Sequence, residues 1–123
     1  MKPIRVLLAD DAAGYRALLR LALEEDGRFA IVGEAGDGVE AVQLSDTERP
    51  DVLLLDLAMP VMDGLQAIPQ VRSRSPETKI VVLSGFSRNR LSDEAQSIGA
   101  NAYLEKGTAV ATIADTLVKL GTD

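Results

Sequence analysis

The strongest constraint on the fold of this chain is a series of short apolar runs with almost no polar alternation. Ile4 to Ala9, Val52 to Leu55 and Ile80 to Leu83 are nearly continuous in Val, Ile and Leu. Runs of this kind read as strands covered on both faces, as in a parallel sheet packed between helices. Phe29 to Val32 and the brief Ala102-Tyr103-Leu104 read as two more strands. The intervening segments change period. Val110, Ile113, Ala114, Leu117 and Val118 fall at i, i+3, i+4, i+7 and i+8, which makes one helical stripe. Tyr15, Leu18, Leu19, Ala22 and Leu23 mark a helix after the first strand, and Leu65, Ile68 and Val71 one after the third. Leu91, Ala95 and Ile98 fit a weaker one, and Asp37 to Thr47 opens with an N-cap aspartate and Glu40 three residues on, placed to reach back. Strand and helix thus alternate five times. Right-handed crossovers then give an α/β fold, a doubly wound five-stranded parallel sheet with helices on both faces.

The 123 residues, 46% of them apolar and 26% charged, suit one domain over positions 1–123. The net charge of −6 repels phosphate backbones and anionic lipid headgroups, which argues against direct nucleic-acid or membrane contact by this segment. With no Cys and no His, the chain lacks thiolate nucleophiles, disulfides, histidine metal ligands, Ser-His-Asp triads and any phosphohistidine of its own. No apolar run approaches the roughly 18 residues of a bilayer span. Arg5 and the Asp10-Asp11 pair break the amino-terminal stretch too early for a signal peptide, so the expected location is cytoplasmic. Two Phe, two Tyr and no Trp leave little for base stacking.

In open parallel sheets, ligands bind beyond the carboxyl ends of the strands. Asp10 and Asp11 follow the first strand, Asp56 the third, Ser84 the fourth and Lys106 the fifth, so five polar side chains should converge on one rim. Three carboxylates gathered there need either raised pKa values or a cation. Oxygen ligands alone point to a hard divalent ion, magnesium, which shares its shell with waters and phosphate. Lys106 could pair with a carboxylate at rest and with a phosphoryl oxygen afterwards, and Ser84 could donate to the same group. Singly, each residue has a plainer reading: Asp10, Asp11 or Asp56 as a cap, Ser84 as a turn residue, Lys106 as a solvated lysine. Their joint placement at four strand ends is what those readings leave unexplained.

These segments resemble the receiver domain of two-component response regulators. The resemblance rests on Ile4 to Asp11, on Gly36 to Ala41, on Leu53-Leu54-Leu55-Asp56-Leu57-Ala58-Met59-Pro60-Val61-Met62-Asp63-Gly64, on Val82 to Gly85 and on Gly99 to Lys106. It implies a (βα)5 flavodoxin-like fold with strand order 2-1-3-4-5. It further implies that Asp56 accepts a phosphoryl group from a partner histidine kinase or phosphotransfer protein. Asp11 and Asp56 would ligate Mg2+ directly, Asp10 mainly through water, and the Ala58 carbonyl would complete the protein ligands. Lys106, Ser84 and the Gly85 amide would hold the phosphoryl oxygens. Slow self-dephosphorylation would reset the switch. Ser84 moving toward the phosphate and Tyr103 turning inward would alter the face made by the fourth helix, fifth strand and fifth helix, with homodimer formation one consequence open to it.

Several positions depart from the family pattern or mark its variable points. Gly107 follows Lys106 where many receivers carry a cis proline, which leaves the geometry of that bond open. Lys-Gly and Leu-Ser-Gly-Phe lean toward receivers joined to helix-turn-helix DNA-binding outputs. The sequence runs out at Gly121-Thr122-Asp123, and either a free-standing domain or the input half of a transcription factor fits. Pro69 should disturb the start of the third helix. By the resemblance, Ala58 and Phe86 occupy positions that influence water access in the family, hence phosphoryl lifetime. Two other classes compete. A phosphatase using Asp56 would want a second Asp where Ala58 stands, and a phosphate-independent binding module has no need of all five rim residues. A flavin site would want a Ser/Thr- and Gly-rich loop where Asp10 and Asp11 stand.

Overall fold

The computed structural model describes residues 2–122. Five strands, β1 (Ile4–Ala9), β2 (Phe29–Ala35), β3 (Val52–Leu55), β4 (Lys79–Ser84) and β5 (Ala102–Glu105), alternate with five helices. The helices are α1 (Ala13–Asp26), α2 (Gly38–Glu48), α3 (Gly64–Arg74), α4 (Arg88–Ser97) and α5 (Val110–Gly121). The sheet is parallel throughout, in the order β2-β1-β3-β4-β5.

The period-2 geometry of the strands splits the core in two. Leu7, Ala9, Leu53, Leu55, Ile80 and Val82 point to the face covered by α2, α3 and α4, where they meet Ala41, Ile68, Val71 and Ala95. Val6, Leu8, Val52, Leu54, Val81 and Leu83 point to the other face and pack on Leu19, Leu23, Ile113 and Leu117 of α1 and α5. Both faces of β1, β3 and β4 are thus covered, which is why these strands carry no alternation.

Register sets the level of the rim. Ala9 pairs with Ala35 on one side and Leu55 on the other, after a shift between Val6 and Leu7 that leaves Val32 unpaired. The Asp10 amide donates to Ala35 O and the Asp56 amide to Ala9 O, both at 2.9 Å. The ladder therefore runs directly into the two aspartates and delivers them side by side.

Some sequence expectations shift. β2 extends to Ala35 because Gly33 and Glu34 continue the pairing beyond the apolar run. On α1 the buried arc is narrower than the stripe: Leu19 and Leu23 are buried, Tyr15 is half-buried, and Leu18 on the flank is 61% exposed. At the start of α2, Asp37 accepts from the Glu40 amide as expected, but the Glu40 carboxylate accepts from Gly36 rather than from the Asp37 amide. A complete reciprocal cap occurs instead at α3, between Asp63 and Gln66. Helix α3 runs through Pro69, whose ring faces solvent. The Lys106–Gly107 bond is trans, with Gly107 at φ 98°.

Two glycines permit close backbone approaches around the loop after β3. A Cβ at Gly38 would lie 2.1 Å from Met62 O, and one at Gly64 2.4 Å from Asp56 O. Because backbone rather than a flexible side chain blocks the space, Gly38→Ala should lower stability by about 1–3 kcal/mol, as for other overpacked sites. Denaturant melts of the two proteins check this, with an unchanged midpoint as the contrary result.

Candidate functional site

The strand ends bring the acidic residues together. Asp10, Asp11 and Asp56 each present a carboxylate oxygen within 4.8 Å of the others. Asp10 and Asp56 are each 4% exposed, while Asp11 opens to solvent. Between the two buried carboxylates sits the Lys106 ammonium, 2.9 Å from Asp10 Oδ2 and 3.2 Å from Asp56 Oδ2. The remaining oxygens accept from the backbone: the Ala12 amide donates to Asp10 Oδ1 at 2.8 Å, and the Ala58 amide to Asp56 Oδ1 at 3.3 Å. Lys106 is anchored by its own amide, which donates to Ser84 O at 2.7 Å.

One ammonium does not balance this cluster. Burial and the Asp10 charge push the Asp56 carboxyl above its ordinary value, and Lys106 only partly opposes them. Burial pulls Lys106 down, but hydrogen bonds to Asp10 and Asp56 and the charges of both outweigh it and hold the ammonium above its usual value. The donor set is all oxygen, unevenly buried and short of positive charge, with its outermost member facing solvent. Those are the properties of a site for a hard divalent cation that keeps part of its water, so the residues present fit magnesium.

Ser84, Gly85 and Tyr103 occupy the adjoining rim. The Ser84 hydroxyl is buried and accepts from the Phe86 amide at 3.1 Å, while Gly85 is exposed at the end of β4. Tyr103 is already in the interior, 1% exposed, with its hydroxyl donating to Phe86 O at 2.9 Å. The Phe86 backbone thus ties the two residues together.

A support the sequence reading passed over lies beneath Asp10. Arg16 on α1 donates through Nη1 to the Asp10 carbonyl and through Nε to Glu34 Oε1 at 2.8 Å, and Arg20 Nη1 meets Glu34 Oε2 at 2.6 Å. Hydrogen bonds from Arg16 and then Arg20 hold the Glu34 carboxyl below its usual range. The available signal was Glu34 itself, a lone acid inside the apolar β2 segment, which asks for a cationic partner.

The sequence model of the response regulator receiver domain matches residues 6–118. The chain belongs to that family. This receiver domain is 42% identical over 111 residues to the transcriptional regulatory protein PdtaR of Mycobacterium tuberculosis, a match covering 90% of this chain and 53% of that protein. The chain spans about half the length of the curated relatives it matches first. Its fold superposes with a TM-score of 0.94 on the signal receiver domain of NarL from Mycobacterium tuberculosis, at 32% identity and covering 99% and 98% of the two chains. A response regulator structure from Burkholderia pseudomallei, with a phosphorylated aspartic acid, calcium ion and citrate, matches with a TM-score of 0.84 at 27% identity over 96% of this chain and 68% of that one. Among the described residues, no helix of the receiver domain is long and apolar enough to cross a membrane.

Two outcomes follow from the charge balance. Since the native environment raises the Asp56 carboxyl, ionising it costs stability at neutral pH. Asp56→Asn should therefore be more stable than the parent in a metal-free buffer, on the order of 1 kcal/mol. That advantage should shrink as pH falls through the native value and vanish below the unfolded one, about 3.9. Glu34 behaves oppositely. Its depressed carboxyl stabilises the fold above the ordinary Glu range, and the contribution is lost as pH falls through the native value. Glu34→Gln should melt lower than the parent at pH 7 and converge with it in acid. Thermal melts across pH test both signs.

Proposed function

We propose that this receiver domain is a phosphorylation-driven switch in which Asp56 accepts a phosphoryl group from a phosphohistidine on a separate histidine kinase or phosphotransfer protein. The observation that carries the reading is the buried Asp56 carboxylate, set beside Lys106 and within one ion's reach of Asp10 and Asp11. The phosphorylated aspartic acid of the Burkholderia pseudomallei relative supports it. This chain has no histidine that could itself carry the donor group.

In the transfer, an Asp56 carboxylate oxygen attacks the phosphorus in line with the donor's P–N bond. A P–O bond forms as the P–N bond breaks, and the leaving imidazole keeps the electron pair and takes a proton from water. Such a reaction needs positioning and charge neutralisation more than covalent help. Lys106 moves its hydrogen bonds from the carboxylates to a phosphoryl oxygen, with the Ser84 hydroxyl and Gly85 amide as the other donors. Asp10, Asp11, Asp56 and the Ala58 carbonyl would hold magnesium, which when bound would neutralise phosphoryl charge. Water attack on the aspartyl phosphate returns phosphate and the free carboxylate, so the switch resets slowly by itself, with Ala58 and Phe86 flanking the water's approach.

The readout runs through Ser84 and Tyr103 to the α4-β5-α5 face. The names of the first relatives support control of transcription, exerted in the cytoplasm through a partner or a further segment rather than through nucleic-acid contacts of this acidic domain. A second copy of the domain is one such partner.

With magnesium and a small acyl phosphate, the protein should gain the mass of one phosphoryl group, and Asp56→Asn should not. Lys106→Ala should slow labelling about a hundredfold, the usual scale for losing one charge-stabilising donor. Magnesium at ten times its Kd should stabilise the unphosphorylated protein by about 1.4 kcal/mol, an effect that Asp11→Asn removes. Equal labelling of the parent and Asp56→Asn would overturn the assignment.

A further inference from the structure

Lys106 has a third neighbour that the phosphoacceptor reading does not use. Its ammonium lies over the face of the Tyr15 ring, 4.8 Å from the centroid, within the range of a cation–π contact. Tyr15 projects from the first turns of α1 and is half-buried beside the acidic rim. The other two partners of the ammonium, Asp10 Oδ2 and Asp56 Oδ2, are the groups that change partners when a cation or a phosphoryl group arrives. The ring is uncharged and does not. The backbone is held on both sides of Lys106, its amide by Ser84 O and the Glu105–Thr108 turn by the Thr108 amide and hydroxyl on Glu105 O, but that fixes only the root of the side chain. A flexible four-carbon stem rising from a held backbone still needs something to fix its tip.

We propose that Tyr15 is a positioning residue for Lys106, its ring keeping the ammonium at the rim beside Asp56 while the carboxylates exchange ligands. The inference rests on the phosphoacceptor reading for its kinetic consequence, but not for the contact itself. The ring rather than the hydroxyl is the active part, so phenylalanine should serve and an aliphatic side chain should not.

The test compares the parent with Tyr15→Phe and Tyr15→Leu, with Tyr15→Met as a second ringless side chain in case leucine disturbs the fold. In proton NMR, the Lys106 ε-methylene signals should be shifted upfield by the ring in the parent and in Tyr15→Phe, and should return toward ordinary lysine values in the ringless variants. With magnesium and a small acyl phosphate, the ringless variants should label Asp56 about two- to fivefold more slowly, the scale of a partly exposed cation–π contact. Tyr15→Phe should label close to the parent rate. Magnesium affinity and melting temperature should change little across the set, which separates a held lysine from a loosened fold. Lys106 shifts unaffected by loss of the ring, parent-like labelling by both ringless variants, or a Tyr15→Phe as slow as Tyr15→Leu would each overturn the proposal. A parent that never labels would defeat the phosphoacceptor reading instead, and the ring-induced shift would then decide by itself whether Tyr15 holds Lys106.

Discussion

Two buried carboxylates sharing one ammonium is the arrangement on which the rim of this sheet depends. A buried charge is costly unless paired and hydrogen-bonded, and Asp10 and Asp56 meet that requirement only jointly, through Lys106 and one backbone amide each. The cluster remains short of positive charge, since Asp11 adds a third carboxylate with no second cation among these residues. That shortage is tolerable because the site opens to water at Asp11, and it is useful because it favours any incoming cation. Stability and chemistry pull in opposite directions here: burial and then the Asp10 charge raise the Asp56 carboxyl, and that same negative charge would recruit a metal.

The fold converts this local demand into geometry through register. Parallel pairing puts Ala9 beside Leu55, so the residues that follow them in β1 and β3 emerge at one level. Lys106 arrives from β5, across β4, by way of the Ser84 carbonyl that accepts its amide. The approach from the α1 side is fixed by Arg16, which links the Asp10 carbonyl to Glu34 of β2. Each strand and the helix after β1 thus contributes one restraint to the same few ångströms. No single element would hold the cluster.

Much of this was legible in the sequence, and the exceptions have physical causes. Continuous apolar strands and i, i+3, i+4 stripes reflect burial on two faces and one face respectively, so the order of elements could be read directly, and the strand ends then named Asp10, Asp11, Asp56, Ser84 and Lys106. Leu18 misled because periodicity marks a stripe but not its width, and the arc of α1 against the sheet admits only Leu19 and Leu23 fully. Arg16, Glu34 and Tyr15 escaped notice because their roles arise between elements. An arginine on an amphipathic helix looks solvated, and a tyrosine on the apolar stripe looks like core, until the fold sets one against Asp10 and the other against Lys106. Sequence periodicity carries information about an element's own environment and almost none about which neighbour it will meet.

The same limit bears on how a change at Asp56 could leave the site. Ser84 and Tyr103 are both held by the backbone of Phe86, whose amide donates to the Ser84 hydroxyl and whose carbonyl accepts from the Tyr103 hydroxyl. If the Ser84 side chain rotated and carried its oxygen toward a phosphoryl group, the Phe86 amide would lose its acceptor, and the segment would be held at Phe86 by the Tyr103 hydroxyl alone. That segment leads straight into α4, whose amino-terminal amide at Arg88 is tied to the Glu105 carboxylate on β5. A rotation of one buried serine side chain can therefore reach the α4-β5 surface through two hydrogen bonds of one residue, without requiring the core strands to shift. Because Tyr103 already fills the interior in this structure, the displaced element would be the β4-α4 segment rather than the aromatic ring.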